Sequence, residues 1–95
     1  MSDATLLVLA SLSDGDKHGY AMLEDIDRFA GLRLGPGTLY GAITRLEERG
    51  WIKPIAADDR RRPYTLTVSG REYLTTQIEG LDRVLKTAAR RLKQA

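Results

Sequence analysis

Apolar residues recur along this chain with two different periods, and the place where the period changes divides its parts. From Leu6 the pattern is almost continuous (Leu6, Leu7, Leu9, Ala10, Leu12), leaving little polar face. With Asp3 placed to cap it, this stretch predicts a helix from Ala4 to about Leu12, buried at the centre of a domain. Ser13-Asp-Gly-Asp-Lys17 is turn chemistry. Tyr20, Leu23, Ile26, Asp27 and Ala30 then recur at helical spacing, with Glu24, Asp25 and Arg28 outside, and the helix they predict ends near Gly31. After the short link Leu32-Arg33-Leu34, Gly35 and Pro36 suit the cap and first position of a third helix. Wound at about 100° per residue, Thr38 to Arg49 places Leu39, Ala42, Ile43 and Leu46 on one face. Gly50 closes that helix. From Trp51 the period falls to two: Trp51-Ile52-Lys53-Pro54-Ile55 and Tyr64-Thr65-Leu66-Thr67-Val68 predict paired strands, with Pro54 and Pro63 at edges or bends. Ser69, with Glu72 three residues on, forms a capping box for a last helix that runs without proline to about Leu92.

The outer face of the third helix changes the picture from structure to function. An ordinary solvated face is crowded with Glu and Lys, whereas this one begins with Gly37, Thr38, Tyr40, Gly41, Thr44 and Arg45. Small groups, hydroxyls, a phenol and a guanidinium suit a surface pressed against a partner, with Gly41 allowing close approach. The Thr38 hydroxyl stands beside unpaired backbone N–H groups, where a phosphate is welcome. Two helices joined by a short Gly-containing turn make a helix-turn-helix, and the third helix reads as its DNA recognition helix. The competing reading is an ordinary core helix with a weakly capped start.

Gly37-Thr38-Leu39-Tyr40, Arg45-Leu46-Glu47 and Gly50-Trp51-Ile52, followed by Arg62, Tyr64, Leu66-Thr67 and Gly70, carry a family likeness. In order and spacing they resemble the signature of PadR-type winged helix-turn-helix repressors, from about Leu6 to Leu74. Trp51 stands where a smaller aliphatic is usual, and Pro63 where a basic or aromatic residue is usual. The resemblance implies the compact form with a single C-terminal dimerisation helix. It also implies a small flat hydrophobic inducer held between the two copies of that helix, although the chain offers Tyr73 and no tryptophan after Trp51.

Ninety-five residues make one domain, too small for a core plus a separate catalytic unit. No apolar run approaches the ~20 residues of a membrane helix, and the N-terminus has no secretory pattern, so a cytoplasmic protein is expected, at the nucleoid when bound to DNA. Zero cysteines exclude disulfides and thiolate metal sites. The lone His18 has no Ser or Cys partner and reads as a surface residue. Asp14 with Asp16, and Asp58 with Asp59, sit in turns that favour aspartate for its backbone bonds. No catalytic constellation, metal site or cofactor is expected.

The net charge of +2 is unevenly spread. Residues 1–30 set Lys17 and Arg28 against six carboxylates, a balance of −4, while residues 31–76 and 77–95 each carry +3. The densest positive charge is Arg60-Arg61-Arg62 at the hairpin tip, where planar guanidinium forks suit phosphate and Tyr64 could add a hydroxyl contact. The alternative there is a solvated tip whose arginines pair with Asp58 and Asp59. In the last helix Leu74, Ile78, Leu81, Leu85, Ala88 and Leu92 follow the 4, 3, 4, 3, 4 spacing of a narrow seam, which predicts a twofold dimer rather than a helix packed wholly on its own domain.

Together these readings give a mainly α fold with a small β-hairpin wing. Residues 1–68 form a winged helix-turn-helix DNA-binding domain and residues 69–95 a C-terminal dimerisation helix. The expected function is a homodimeric, sequence-specific repressor acting on a palindromic double-stranded operator; the alternative is a winged-helix protein-interaction module without specific DNA binding.

Overall fold

The computed structural model describes residues 3–55 and 62–94. Its elements run α1 (Ala4–Leu12), α2 (Gly19–Ala30), α3 (Pro36–Glu48), β1 (Ile52–Pro54), β2 (Tyr64–Leu66) and α4 (Val68–Gln94). This is the mainly helical architecture with one antiparallel hairpin that the periodicity predicts. Asp58, Asp59, Arg60 and Arg61 of the hairpin tip lie outside the described residues. Among the described residues, no helix is long and apolar enough to cross a membrane.

α1 is the hub. Its start is fixed by the Asp3 carboxylate, which accepts from the Thr5 amide at 3.0 Å and the Thr5 hydroxyl at 2.6 Å. Ala4, Leu7, Val8, Leu9 and Leu12 are buried, and α2, α3, α4 and β2 all pack against the helix. Burying each such leucine contributes ~1.5–3 kcal/mol, so the central element draws its stability from the whole domain. Met22, Ile26, Leu39, Ala42, Ile43, Leu46, Ile52, Tyr64 and Leu74 complete the core.

α2 is turned relative to the sequence expectation. Met22 and Ile26 are fully buried, Tyr20 and Ala30 are exposed, and Asp25 is half-buried. The cause is a polar cluster. The Ser11 hydroxyl donates to Asp25 Oδ2 at 2.7 Å, while the Lys17 ammonium donates to the Ser11 carbonyl and to Asp14 and lies 3.9 Å from Asp25. A carboxylate can be taken partly from water when its charge is answered in this way. His18, expected on the surface, is half-buried and caps α2, its Nδ1 accepting from the Ala21 amide at 3.3 Å. The same turn joins the wing: the Lys17 and Tyr64 backbones bond in both directions, at 3.3 and 2.9 Å, adding a one-residue third strand.

In the hairpin, Ile52 faces Leu66, Lys53 faces Thr65 and Pro54 faces Tyr64. The ladder is shorter than predicted because Thr67 leaves it to cap α4. Its hydroxyl accepts from the Gly70 amide at 3.0 Å and donates to the Gly50 carbonyl at 2.7 Å. Ser69, the expected cap, also donates to the Gly50 carbonyl, at 3.1 Å, so the capping box with Glu72 does not form.

The first turns of α4 belong to the core. Leu74 is only 6% exposed within its own chain, which removes it from the expected dimer seam. Farther along the same stripe the environment reverses: Ile78, Leu85 and Leu92 are 55%, 64% and 77% exposed, Ala88 is exposed and Leu81 half-buried. The helix outruns its domain, and the face that packs Leu74 continues into solvent.

Candidate nucleic-acid interface

Helix α3 presents the site because its two faces are chemically separate. Leu39, Ala42, Ile43 and Leu46 are buried, locking the rotation of the helix and turning the opposite residues outward. Pro36 occupies the first turn and Gly35 the cap, and no side chain caps this end. The first-turn amides therefore stand without a side-chain acceptor, at the positive end of the helix dipole. Around them Gly37 and Thr38 are exposed, Tyr40 is half-exposed, and Thr44 and Arg45 follow one turn on.

Two of the outward side chains, Thr44 and Arg45, meet residues of the same helix. The Thr44 hydroxyl donates to the Tyr40 carbonyl at 2.9 Å, leaving its oxygen lone pairs free to accept. Arg45 lies back over Gly41, where a Cβ would stand 3.5 Å from Nη1, an ordinary van der Waals contact. Arg45 also contributes to holding the Asp3 carboxyl below its usual range, a shift owed first to the hydrogen bond from Thr5. The outer side of α3 thus carries cationic and neutral donors, with its acidic residues, Glu47 and Glu48, confined to the last turn.

Of the wing residues singled out in the sequence, Arg62 is exposed, whereas Arg60 and Arg61 lie outside the described residues. Tyr64 is a correction. It is 7% exposed and packs with the core, because its paired bonds to Lys17 and its place opposite Pro54 turn the ring inward, so a DNA-contacting phenol is not what this position supplies. Sequence reasoning missed the support behind the interface, where the Trp51 and Tyr73 rings stack with centroids 3.7 Å apart and the Arg49 guanidinium stands 5.3 Å from the Trp51 ring centroid. The unusual tryptophan was the one signal that pointed there.

Residues 8–76 match the model of the Transcriptional regulator PadR-like family. The chain belongs to that family. Members are transcriptional regulators. The chain is 33% identical over 84 residues to the transcriptional regulator Rv3488 of Mycobacterium tuberculosis, covering 85% of this chain and 78% of that one. It is also 45% identical over 83 residues to an uncharacterized 37.1 kDa protein in transposon TN4556 of Streptomyces fradiae. That match takes in 87% of this chain but only 24% of the relative, so the PadR-like chain spans about a quarter of that protein's length. The fold is shared with a PadR family transcription regulator from Clostridium difficile, at a TM-score of 0.85 and 23% identity over 94% of this chain and 97% of that one.

Proposed function

We propose that this PadR-like regulator is a homodimeric repressor that binds a palindromic promoter site. The observation that carries the reading is the α3 surface: Thr38, Tyr40, Thr44 and Arg45 stand outward together, with no carboxylate among them, beside an uncapped helix start. In a major groove these groups reach base edges and phosphates, and Arg45 is the one suited to a bidentate contact with guanine. The wing arginines Arg60, Arg61 and Arg62 follow the backbone beside it, contributing affinity rather than sequence.

One module reads too few base pairs to select a promoter. The exposed stripe of Ile78, Leu81, Leu85, Ala88 and Leu92 supplies the second copy by pairing α4 with α4 of a twofold partner, so that two recognition helices meet successive major grooves. Repression follows from occupying the promoter. A flat hydrophobic inducer would lie along the exposed face of α4, against Val84, Ala88 and Leu92 and between Arg83 and Arg91.

Footprinting on the promoter nearest the protein's own gene, followed by titration of the protected duplex at rising salt, tests the proposal. Protection of two symmetric half-sites and an affinity that falls steeply with ionic strength are expected. Binding to no duplex at low salt, with a salt-insensitive protein partner in its place, would point instead to an interaction module.

A further inference from the structure

Where the recognition helix ends, three elements meet in one joint. Gly50, with φ 74°, closes α3 and turns the chain into the wing. The first turn of α4 passes so close beneath that a Cβ on Gly70 would lie 2.0 Å from the Trp51 carbonyl oxygen. Thr67 and Ser69 both donate to the Gly50 carbonyl. These backbone contacts gather at one point, the start of α4, and a single point leaves a long helix free to pivot. The second point lies one turn farther along, where the Tyr73 ring stacks on the Trp51 indole, 14° from parallel. Arg49, the cap residue that follows α3, sets its guanidinium 5.3 Å from the centroid of that indole, so the end of α3 is tied into the same stack.

We infer that the Trp51–Tyr73 stack determines which half-site spacing the dimer accepts, by fixing the angle between the recognition helix and α4. The inference rests on the dimeric DNA-binding reading above. Its physical basis is a lever. Helix α4 has 27 residues. At a rise of 1.5 Å per residue that is roughly 40 Å. A tilt of about 5° at its base then moves the far end by roughly 3.5 Å, about one base-pair step. Since the exposed stripe from Ile78 to Leu92 occupies the outer part of that lever, an error at the joint becomes an error of up to that size in the separation of the two recognition helices. Trp51 and Tyr73 touch no nucleic acid in this scheme; they are positioning residues.

The test uses the dimer of this chain and a duplex selected by the wild-type protein from random DNA, resynthesised with one or two base pairs added or removed at its centre. Each change alters the separation by about 3.4 Å and the relative rotation by about 35° per base pair. The wild-type protein is expected to lose about tenfold or more in affinity for a one-pair change, in line with the energetic weight of a misplaced contact. Trp51→Leu and Tyr73→Leu reduce that discrimination to about threefold or less, chiefly by weakening binding to the selected spacing, while Tyr73→Phe, which keeps the ring, retains it. A residue that merely stabilises the fold lowers the melting temperature without altering the ratio between spacings. Variants of Trp51 and Tyr73 that discriminate as sharply as wild type overturn the joint while leaving the DNA reading intact. A wild-type protein that binds no duplex, or is indifferent to spacing, overturns both.

Discussion

Tyr40 of α3 lays its phenol against the backbone of Gly19 at the start of α2, where a Cβ would stand 2.3 Å from the hydroxyl oxygen and 2.7 Å from Cζ. The ring is 49% exposed, so one residue braces α2 against α3 and also shows a surface to whatever α3 approaches. A glycine at the first position of α2 makes this double role possible, since any side chain there would displace the ring.

Adding that side chain should therefore have opposite effects in two backgrounds. In the wild-type protein, Gly19→Ala pushes the half-exposed ring aside and costs about 1 kcal/mol, at the low end for overpacking because the ring can swing outward. With Tyr40→Ala already in place, the clash is gone and the gain in helix propensity makes the same substitution neutral or stabilising by up to about 1 kcal/mol. A double-mutant cycle by urea unfolding measures the coupling, expected at about 1–2 kcal/mol, within the range for residues in contact. Additive effects would show that the ring does not brace α2.

Gly70→Ala meets a harder obstacle. The new methyl would lie 2.0 Å from the Trp51 carbonyl oxygen and 2.8 Å from its carbon, and both are backbone atoms that cannot rotate away. The expected cost is about 3 kcal/mol, the upper end for a forced fit. For a chain of 95 residues this corresponds to a melting temperature lowered by roughly 12 °C or more. Thermal unfolding followed by circular dichroism checks it, and a drop of only a few degrees would mean that the start of α4 moves off the wing at little cost.

Asp3 links stability to pH. Its carboxyl is held below the usual value of 3.8 by the Thr5 hydroxyl first, with the Thr5 and Leu6 amides and the Arg45 charge adding smaller pulls in the same direction against the opposing effect of burial. A folded-state pKa below the unfolded one gives stability that is present above pH 3.8 and lost as the pH falls through the folded value. Asp3→Ala should thus cost about 1 kcal/mol at neutral pH, as for other helix caps. Denaturant melts of the two proteins should converge as the medium is acidified below that value. A gap that stays constant down to acid pH would show that the cap acts without its charge.

The parts of this structure that were legible in the sequence are those in which a single element carries its own signal. The buried face of α3, its opening at Gly35-Pro36 and its closure at Gly50 all follow from local spacing and backbone preference. The rotation of α2 was misread because it depends on Ser11 and Lys17, residues outside the helix that draw Asp25 inward. Tyr64 and Leu74 failed for a related reason. A two-residue or heptad period says which side chains share a face, but not whether that face meets solvent, a partner or the chain's own core. The Trp51–Tyr73 stack joins residues in different elements and has no local pattern at all.

The stripe on α4 makes its own prediction, because all of its residues but the half-buried Leu81 are exposed in a single chain and contribute little to the fold. Leu85, 64% exposed, is the most informative of them. Leu85→Asp places a charge in the proposed seam, which a paired helix cannot bury without a partner charge, while an isolated α4 carries it in water. Sedimentation equilibrium should show a folded monomer with an unchanged circular dichroism spectrum. If the variant remains a dimer at micromolar concentration, the pairing of copies runs through some other surface.

In the proposed DNA complex Arg45 and Arg62 divide the labour of binding, one from α3 and one from the wing. Both are exposed, yet their settings differ: Arg45 is laid along Gly41 on the α3 face, whereas Arg62 stands just before the second strand of the hairpin. A guanidinium on a base edge discriminates, so Arg45→Ala should cost ~1–3 kcal/mol at one base pair and make the protein tolerant of substitution there. A guanidinium on a phosphate attracts every sequence alike, so Arg62→Ala should weaken operator and random duplexes to the same degree and lower the slope of log affinity against log salt by about one. Titrating both variants against the footprinted operator, its single-base-pair variants and random DNA at several salt concentrations separates the two. Equal losses on every duplex for both arginines would leave sequence recognition to Thr38, Tyr40 and Thr44.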